Sequence, residues 1–310
     1  MYFIIYRSHH DDHHNENHRA STKKQHNHNK NNKEPTEEEL FENNVPTGIN
    51  FSRFEHIDVN LSGDGAVSKI ESFHESNLNS VILNNVKKCG YSQPTPVQKH
   101  AIPNVLNGRD LMACSQTGSG KTAAFLLPVI HTLLEKGVKP SAAVKGEPQT
   151  PEVIVIVPTR ELASQIKDEA KKYSAGTGLK SVVTYGGIGY EDQRNKIREG
   201  CNILIATPGR LLDFIEKNIL SPARVTCLVL DEADRMLEQG FHESILKLVR
   251  HPDMPATLNR QTLMFSATFP DSIQRLASEF MNNYLFLSVG ILGGASSDVA
   301  QTLLQVNHIS

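Results

Sequence analysis

A chain of 310 residues with 38% hydrophobic residues has enough apolar side chains to build one large or two small cored domains. The formal net charge of −2 gives no global excess of Lys and Arg to draw in nucleic acid by field alone, so any nucleic-acid site has to be local. Cys89, Cys114, Cys201 and Cys227 lie far apart with no CxxC pair, which argues against a disulfide framework or zinc site and for reduced, buried thiols in an intracellular protein.

The opening "YFIIY" is too short to span a bilayer, which takes roughly 20 apolar residues, and lacks a secretory leader's pattern. A soluble protein that is not exported is the expectation. From Ser8 to Glu39 the sequence is almost entirely His, Asn, Lys, Asp and Glu, with no apolar period to bury. Residues 1–47 are therefore read as a disordered His/Asn-rich tail. Its "HHDDHH" could chelate a transition metal in vitro, but a solvated low-complexity tail is the simpler reading. Residues 48–72 form an amino-terminal flank.

Beyond Phe73, short apolar runs alternate with helical patterns. The runs are "DLMAC" (110–114), "EVIVIVP" (152–158), "SVVTYGG" (181–187), "NILIATP" (202–208), "CLVLD" (227–231), "QTLMFSA" (261–267) and "YLFLSVG" (284–290). Several are continuous and β-branched, as expected of strands buried on both faces of a parallel sheet. Between them "TAAFLLPVIHTLLEKG", "ELASQIKDEAKKYS" and "SIQRLASEFMNN" have helical period and length, and 138–150 reads as a surface loop. Alternation of this kind predicts an α/β layered domain over 73–290. Residues 291–310 read as a glycine-containing linker closing on an apolar run, the start of a further domain.

The strand "DLMAC" feeding "SQTGSGKT" and then a helix is the setting a P-loop requires. Gly118 and Gly120 let the backbone of Ser115, Gln116, Thr117, Gly118, Ser119 and Gly120 curl so that amides face an anion, and the new helix aims its positive end at the same point. Lys121 would reach the β and γ phosphates, and the Thr122 hydroxyl would help hold Mg²⁺. The general P-loop form has glycine where this chain has Ser115. A P-loop also needs an acid at the end of another strand. "CLVLDEAD" supplies Asp231, placed to hold Mg²⁺ through water, and Glu232, placed to take a proton from attacking water.

"PTREL" (158–162), "TPGR" (207–210), "DEAD" (231–234) and "SAT" (266–268), in the family's order and at suitable spacing, resemble the DEAD-box ATP-dependent RNA helicases. The resemblance runs from about Phe73 to Val289 and implies a P-loop RecA-like three-layer domain with a mostly parallel central sheet. "GYSQPTPVQ" (90–98), with Phe73 upstream, looks like the family's Q motif, which implies that Gln98 reads the adenine edge with Phe73 and Tyr91 close by. The "SAT" motif implies coupling, in which Ser266, Ala267 and Thr268 bond toward Asp234. The flanking strings look most like the Vasa branch, with the Belle-type helicases close behind, which implies cytoplasmic RNA granules of the germline and their proteins as partners.

"PTREL", the glycine pair and "TPGR" each follow a strand, so their loops open on the carboxyl edge of the sheet, where open α/β folds bind ligands. Pro158, Thr159, Arg160, Gly186, Gly187, Thr207, Pro208, Gly209 and Arg210 would form an RNA track beside the ATP site, with Arg and Thr side chains on phosphates. Such contacts read the backbone, so binding is expected to be independent of base sequence. Alone, "TPGR" and "PTREL" would read as turns with Thr at a helix N-cap.

The resemblance implies two RecA-like domains in the full enzyme, and no second-domain arginine finger lies in these 310 residues. Such a finger is worth roughly 10³ to 10⁵ in phosphoryl-transfer rate, so one domain alone should turn over ATP very slowly. A monomer with ATP and Mg²⁺ as ligands is expected, without a membrane. Two readings stay open: the ATP-binding half of a helicase, or a non-catalytic module that binds RNA or a partner.

Overall fold

The computed structural model describes residues 4–6, 37–42, 57–139, 144, 146–187, 189–290 and 301–303. In chain order the elements begin with β1 (Ile4–Tyr6), α1 (Glu37–Glu42), β2 (Val59–Ser62), a 3-10 turn (Phe73–Ser76), α2 (Ser80–Lys88) and α3 (Pro96–Leu106). Then follow β3 (Leu111–Ser115), α4 (Lys121–Glu135), β4 (Val153–Ile156), α5 (Arg160–Tyr173), β5 (Ser181–Thr184), α6 (Tyr190–Arg198), β6 (Ile203–Ala206) and α7 (Pro208–Glu216). The chain continues through β7 (Cys227–Leu230), α8 (Ala233–Glu238), α9 (His242–Val249), β8 (Gln261–Ser266), α10 (Asp271–Phe280), β9 (Leu285–Val289) and β10 (Gln301–Leu303).

All seven apolar runs of the sequence are strands, and together with β2 they form one eight-stranded sheet in the order β2-β9-β3-β8-β7-β4-β6-β5. Only β2 runs antiparallel, paired along β9; the other neighbours are parallel. The central strands are buried at every position, which explains their unbroken β-branched sequences. Successive residues still alternate between two cores. Val153 and Val155 join one with Ile203, Ile205, Val229 and Phe265, packed by α2, α3, α4 and α5. Ile154 and Ile156 join the other with Leu204, Leu228, Leu230 and Met264, packed by α7, α8, α9 and α10. Helices on both faces of a twisted parallel sheet make three layers.

The amino-terminal flank contributes more than its sequence suggests. Strand β2, whose residues alternate between half-buried and exposed, takes one edge of the sheet, and the Arg109 guanidinium ties the following turn down by donating to Asp64 O and Asn283 O. Within the stretch expected to be disordered, Glu37–Glu42 is helical: Phe41 packs on the first core and the Lys88 ammonium lies 5.6 Å over its ring. Separately, β1 and β10 pair antiparallel as a two-stranded ribbon. The remaining tail and linker assignments, 1–3, 7–36, 43–56 and 291–300, fall outside the described residues, as do 304–310.

Candidate functional site

The carboxyl edge of the sheet is divided by strand order. Strands β3, β8 and β7 are neighbours, so the loop after β3, Thr268 after β8 and Asp231 after β7 come together. Strands β4, β6 and β5 are also neighbours, so "PTREL", "TPGR" and the glycine pair come together beside them.

In the first half, the turn from β3 into α4 holds Gly118 at φ 81° and Gly120 at φ 90°, the left-handed region that glycine enters without strain. Thr117 and Gly118 are exposed at the crest. Ser115, which stands where the general P-loop form has glycine, bonds through its Oγ to Ser119 Oγ at 2.9 Å and so closes the loop's base. Lys121 is buried and donates from Nζ to Ser115 O at 2.9 Å. Gln116 and Thr122 flank these residues, Thr122 in the first turn of α4.

Gln98 is completely buried beneath this turn. Its Oε1 accepts from Thr95 N at 3.0 Å, half of a capping box that starts α3, and its Nε2 donates to Gly120 O at 3.0 Å. The amide expected to face adenine is thus bonded within the chain, and a base would have to displace the Gly120 carbonyl. Phe73 is buried edge-to-face on Tyr91, with ring centroids 6.2 Å apart, and Tyr91 meets Tyr173 in the same way at 6.4 Å. Tyr173 Oη donates to Tyr91 Oη at 3.2 Å.

Asp231 leaves β7 only 3% exposed. Burial pushes its carboxyl up to about 6, against the opposing pull of Lys121 and of the Glu232 amide, which donates to its Oδ1 at 2.9 Å. Glu232 turns into α8 at φ 52° and pairs with Arg235 at 2.8 Å. Asp234 Oδ2 accepts from the Ala267 and Thr268 amides at 3.2 and 3.0 Å and from Thr268 Oγ1 at 2.9 Å. Ser266, expected to bond toward Asp234, does not. It is the last residue of β8, fully buried, and its Oγ has no hydrogen-bond partner.

The second half is an open cleft of about 610 Å³. Pro158, Thr159, Arg160, Gly186, Thr207, Gly209 and Arg210 line it, all residues singled out from the sequence. Thr159 caps α5 by accepting from Leu162 N at 3.3 Å, while Thr207 holds the N-cap position of α7 without a side-chain bond, with Pro208 in the first turn. Gly187 sits at φ 82° with the Arg160 guanidinium against it; a Cβ there would lie 2.4 Å from both Nη atoms. Arg210 packs over the Tyr190 and Phe214 rings at 5.7 and 5.4 Å, and its Nε lies 3.8 Å from Asp213. Sequence reasoning missed Glu161, Asp213 and Phe241, which also line the cleft. Glu161 lay inside a recognised motif; Phe241 follows α8 by a tight turn and carried no signal of its own.

Two nucleotide-like and backbone-like half-sites on one RecA-type edge invite comparison with known proteins, and the sequence pattern of DEAD/DEAH box helicases matches residues 95–276. The chain belongs to the DEAD/DEAH box helicase family. It is 52% identical over 275 residues to the human protein named probable ATP-dependent RNA helicase DDX4, covering 88% of this chain and 38% of that one. The ATP-dependent RNA helicase vasa of Drosophila melanogaster is 48% identical over 269 residues, covering 87% and 40%. The chain therefore spans about two fifths of the length of these helicases. Among solved structures, the yeast DEAD-box splicing factor Prp28 superposes with a TM-score of 0.69 at 31% identity, over 76% of this chain and 55% of that one. A DEAD box protein from the hyperthermophile Methanococcus jannaschii gives 0.62 at 34% identity, over 71% and 56%. No helix of the described residues is long and apolar enough to cross a membrane.

Proposed function

We propose that this DEAD-box domain is the ATP-binding half of an ATP-dependent RNA helicase. It would hold ATP on the loops of β3, β8 and β7, and the RNA backbone in the cleft on β4, β6 and β5. The observation that carries this reading is the division of one sheet edge into two adjoining sets of loops, which meet where β7 lies beside β4.

The residues present suit the ligands. The amides of 116–121 and the start of α4 offer donors to phosphate, and Lys121 Nζ can exchange the Ser115 carbonyl for a phosphate oxygen. Among the described residues no cluster of three or more His, Cys, Asp or Glu is gathered for an ion. A cation held by one carboxylate, a hydroxyl, water and phosphate suits Mg²⁺, with Asp231 and Thr122 as the protein's share. When bound, Mg²⁺ would neutralise charge developing on the phosphates. Its positive charge would also favour the ionised form of Asp231 that burial disfavours. Glu232 would accept the proton of the attacking water, and Arg160 and Arg210 would pair with RNA phosphates independently of base sequence.

Lys121→Ala should abolish binding of a fluorescent ATP analogue, and unchanged affinity in that titration would remove the P-loop assignment. Glu232→Gln should leave nucleotide binding intact while lowering turnover in a protein carrying both helicase domains; turnover at the parent rate would show that Glu232 is not the base.

A further inference from the structure

Helix α6 is strongly polar, and only Gln193 and Ile197 are buried on it. An amide at such a position costs stability unless its polar atoms are satisfied, and here they are. Gln193 Oε1 accepts from Thr184 Oγ1 at 2.7 Å and from Tyr185 N at 2.9 Å. Its Nε2 donates to Tyr185 O at 3.1 Å and to Gly189 O at 3.4 Å. One side chain thus uses both lone pairs and both N–H groups to join the two ends of the turn that carries Gly186 and Gly187.

That turn sets the place of a cation. Gly187 lies directly against the Arg160 guanidinium, with no room for even a Cβ between them. Arg160 starts α5, 27 positions away in sequence, so the backbone at Gly187 limits where its Nη atoms can rest. An apolar residue at 193 would bury α6 equally well. It would not hold Tyr185 and Gly189 together.

We propose that Gln193 is a positioning residue for RNA binding: its amide fixes the Gly186–Gly187 turn, and through Gly187 it fixes Arg160 for a backbone phosphate. This rests on the reading of the cleft as an RNA site. Gln193 touches no RNA itself, so its effect should pass entirely through Arg160 and the turn.

The test uses the 310-residue chain and a fluorescent single-stranded oligouridylate in anisotropy titrations over a range of salt. Gln193→Met should weaken binding by about tenfold, the scale of one lost hydrogen-bonded constraint. It should also lower the slope of log affinity against log salt by about 0.7, the share of one phosphate on a single strand. Arg160→Ala should do the same, and the double variant should be no weaker than Arg160→Ala alone. Affinity for a fluorescent ATP analogue should stay at the parent value. Gln193→Glu, which keeps the size but turns two donors into an acceptor facing two carbonyls, provides a second variant should Gln193→Met melt early.

Losses that add, or an unchanged salt slope, would overturn the proposal and leave Gln193 a packing residue. If the parent chain binds no oligouridylate, the RNA reading of the cleft fails. Amide exchange then decides the positioning: faster exchange at Gly187 in Gln193→Met, with β6 unchanged, supports it, and equal rates at Gly187 overturn it.

Discussion

Glu232 stands out among the described non-glycine residues with positive φ. The others, Asn77, Asn218 and Asn283, are of the type that tolerates the left-handed region, whereas a glutamate there costs on the order of 1 kcal/mol. The strain falls on the residue proposed as the base, one position after the buried carboxylate of Asp231. Because burial holds Asp231 near 6, above the ordinary value of 3.8, its ionised form destabilises the fold. That destabilisation is absent below the lower value, grows between the two, and is complete above the higher. In the metal- and nucleotide-free chain, Asp231→Asn should therefore be more stable by on the order of 1–3 kcal/mol near pH 7. The gap should close as pH falls from about 6 to about 4. Urea melts at both ends of that range would show it, and a gap that is absent or widens in acid would contradict the account. Gly187→Ala makes a sharper local case. A Cβ at φ 82° and 2.4 Å from the Arg160 nitrogens must push that side chain out of place. RNA binding should weaken while ATP-analogue affinity holds, and equal RNA affinity would dissociate Gly187 from Arg160.

At the scale of elements, α5 runs from the cleft proposed to bind RNA to the aromatic residues of the Q motif. Arg160 and the Thr159 cap lie at one end, and Tyr173, bonded to Tyr91, at the other. Asn85 of α2 closes the far end by donating to Tyr173 O at 3.0 Å and Ala175 O at 2.9 Å, carbonyls that the helix leaves unpaired. Asn85→Ala should lower unfolding stability by about 1–3 kcal/mol, measured by chemical denaturation, since one buried and one half-buried acceptor lose their donor. A loss within error would mean that water or another donor takes its place. The same scale shows what the sequence could reveal. All seven long apolar runs became strands, because a parallel sheet covered on both faces demands unbroken burial. Strand β2 escaped notice because an edge strand of four alternating residues has too little pattern to register. The motif strings other than the Q motif lie at or just after strand ends, which is why they gather on the carboxyl edge of the sheet. The bond from Gln98 to Gly120 and the four bonds of Gln193 were hidden, since they join side chains to backbone and leave no periodic trace.

For the molecule as a whole, topology does the organising. Eight strands in the order β2-β9-β3-β8-β7-β4-β6-β5 put the loops proposed to bind phosphate and those proposed to bind RNA backbone side by side on one edge. Asp234 ties the β7 loop to the β8 loop by receiving both Ala267 and Thr268, and the two halves meet where β7 and β4 lie next to each other. The half-site holds candidates for phosphate, metal and base, and Arg235, beside the proposed base, is paired with Glu232; an arginine that stabilises the transferring phosphoryl group is worth roughly 10³ to 10⁵ in rate. The most direct measurement is RNA-stimulated ATP hydrolysis by these 310 residues, alone and mixed with a separately expressed second helicase domain from a DEAD-box relative. The account predicts near silence alone and RNA-dependent turnover in the mixture, lost again in Glu232→Gln. Full turnover by the chain alone, or silence in the mixture with both ATP and RNA bound, would contradict it.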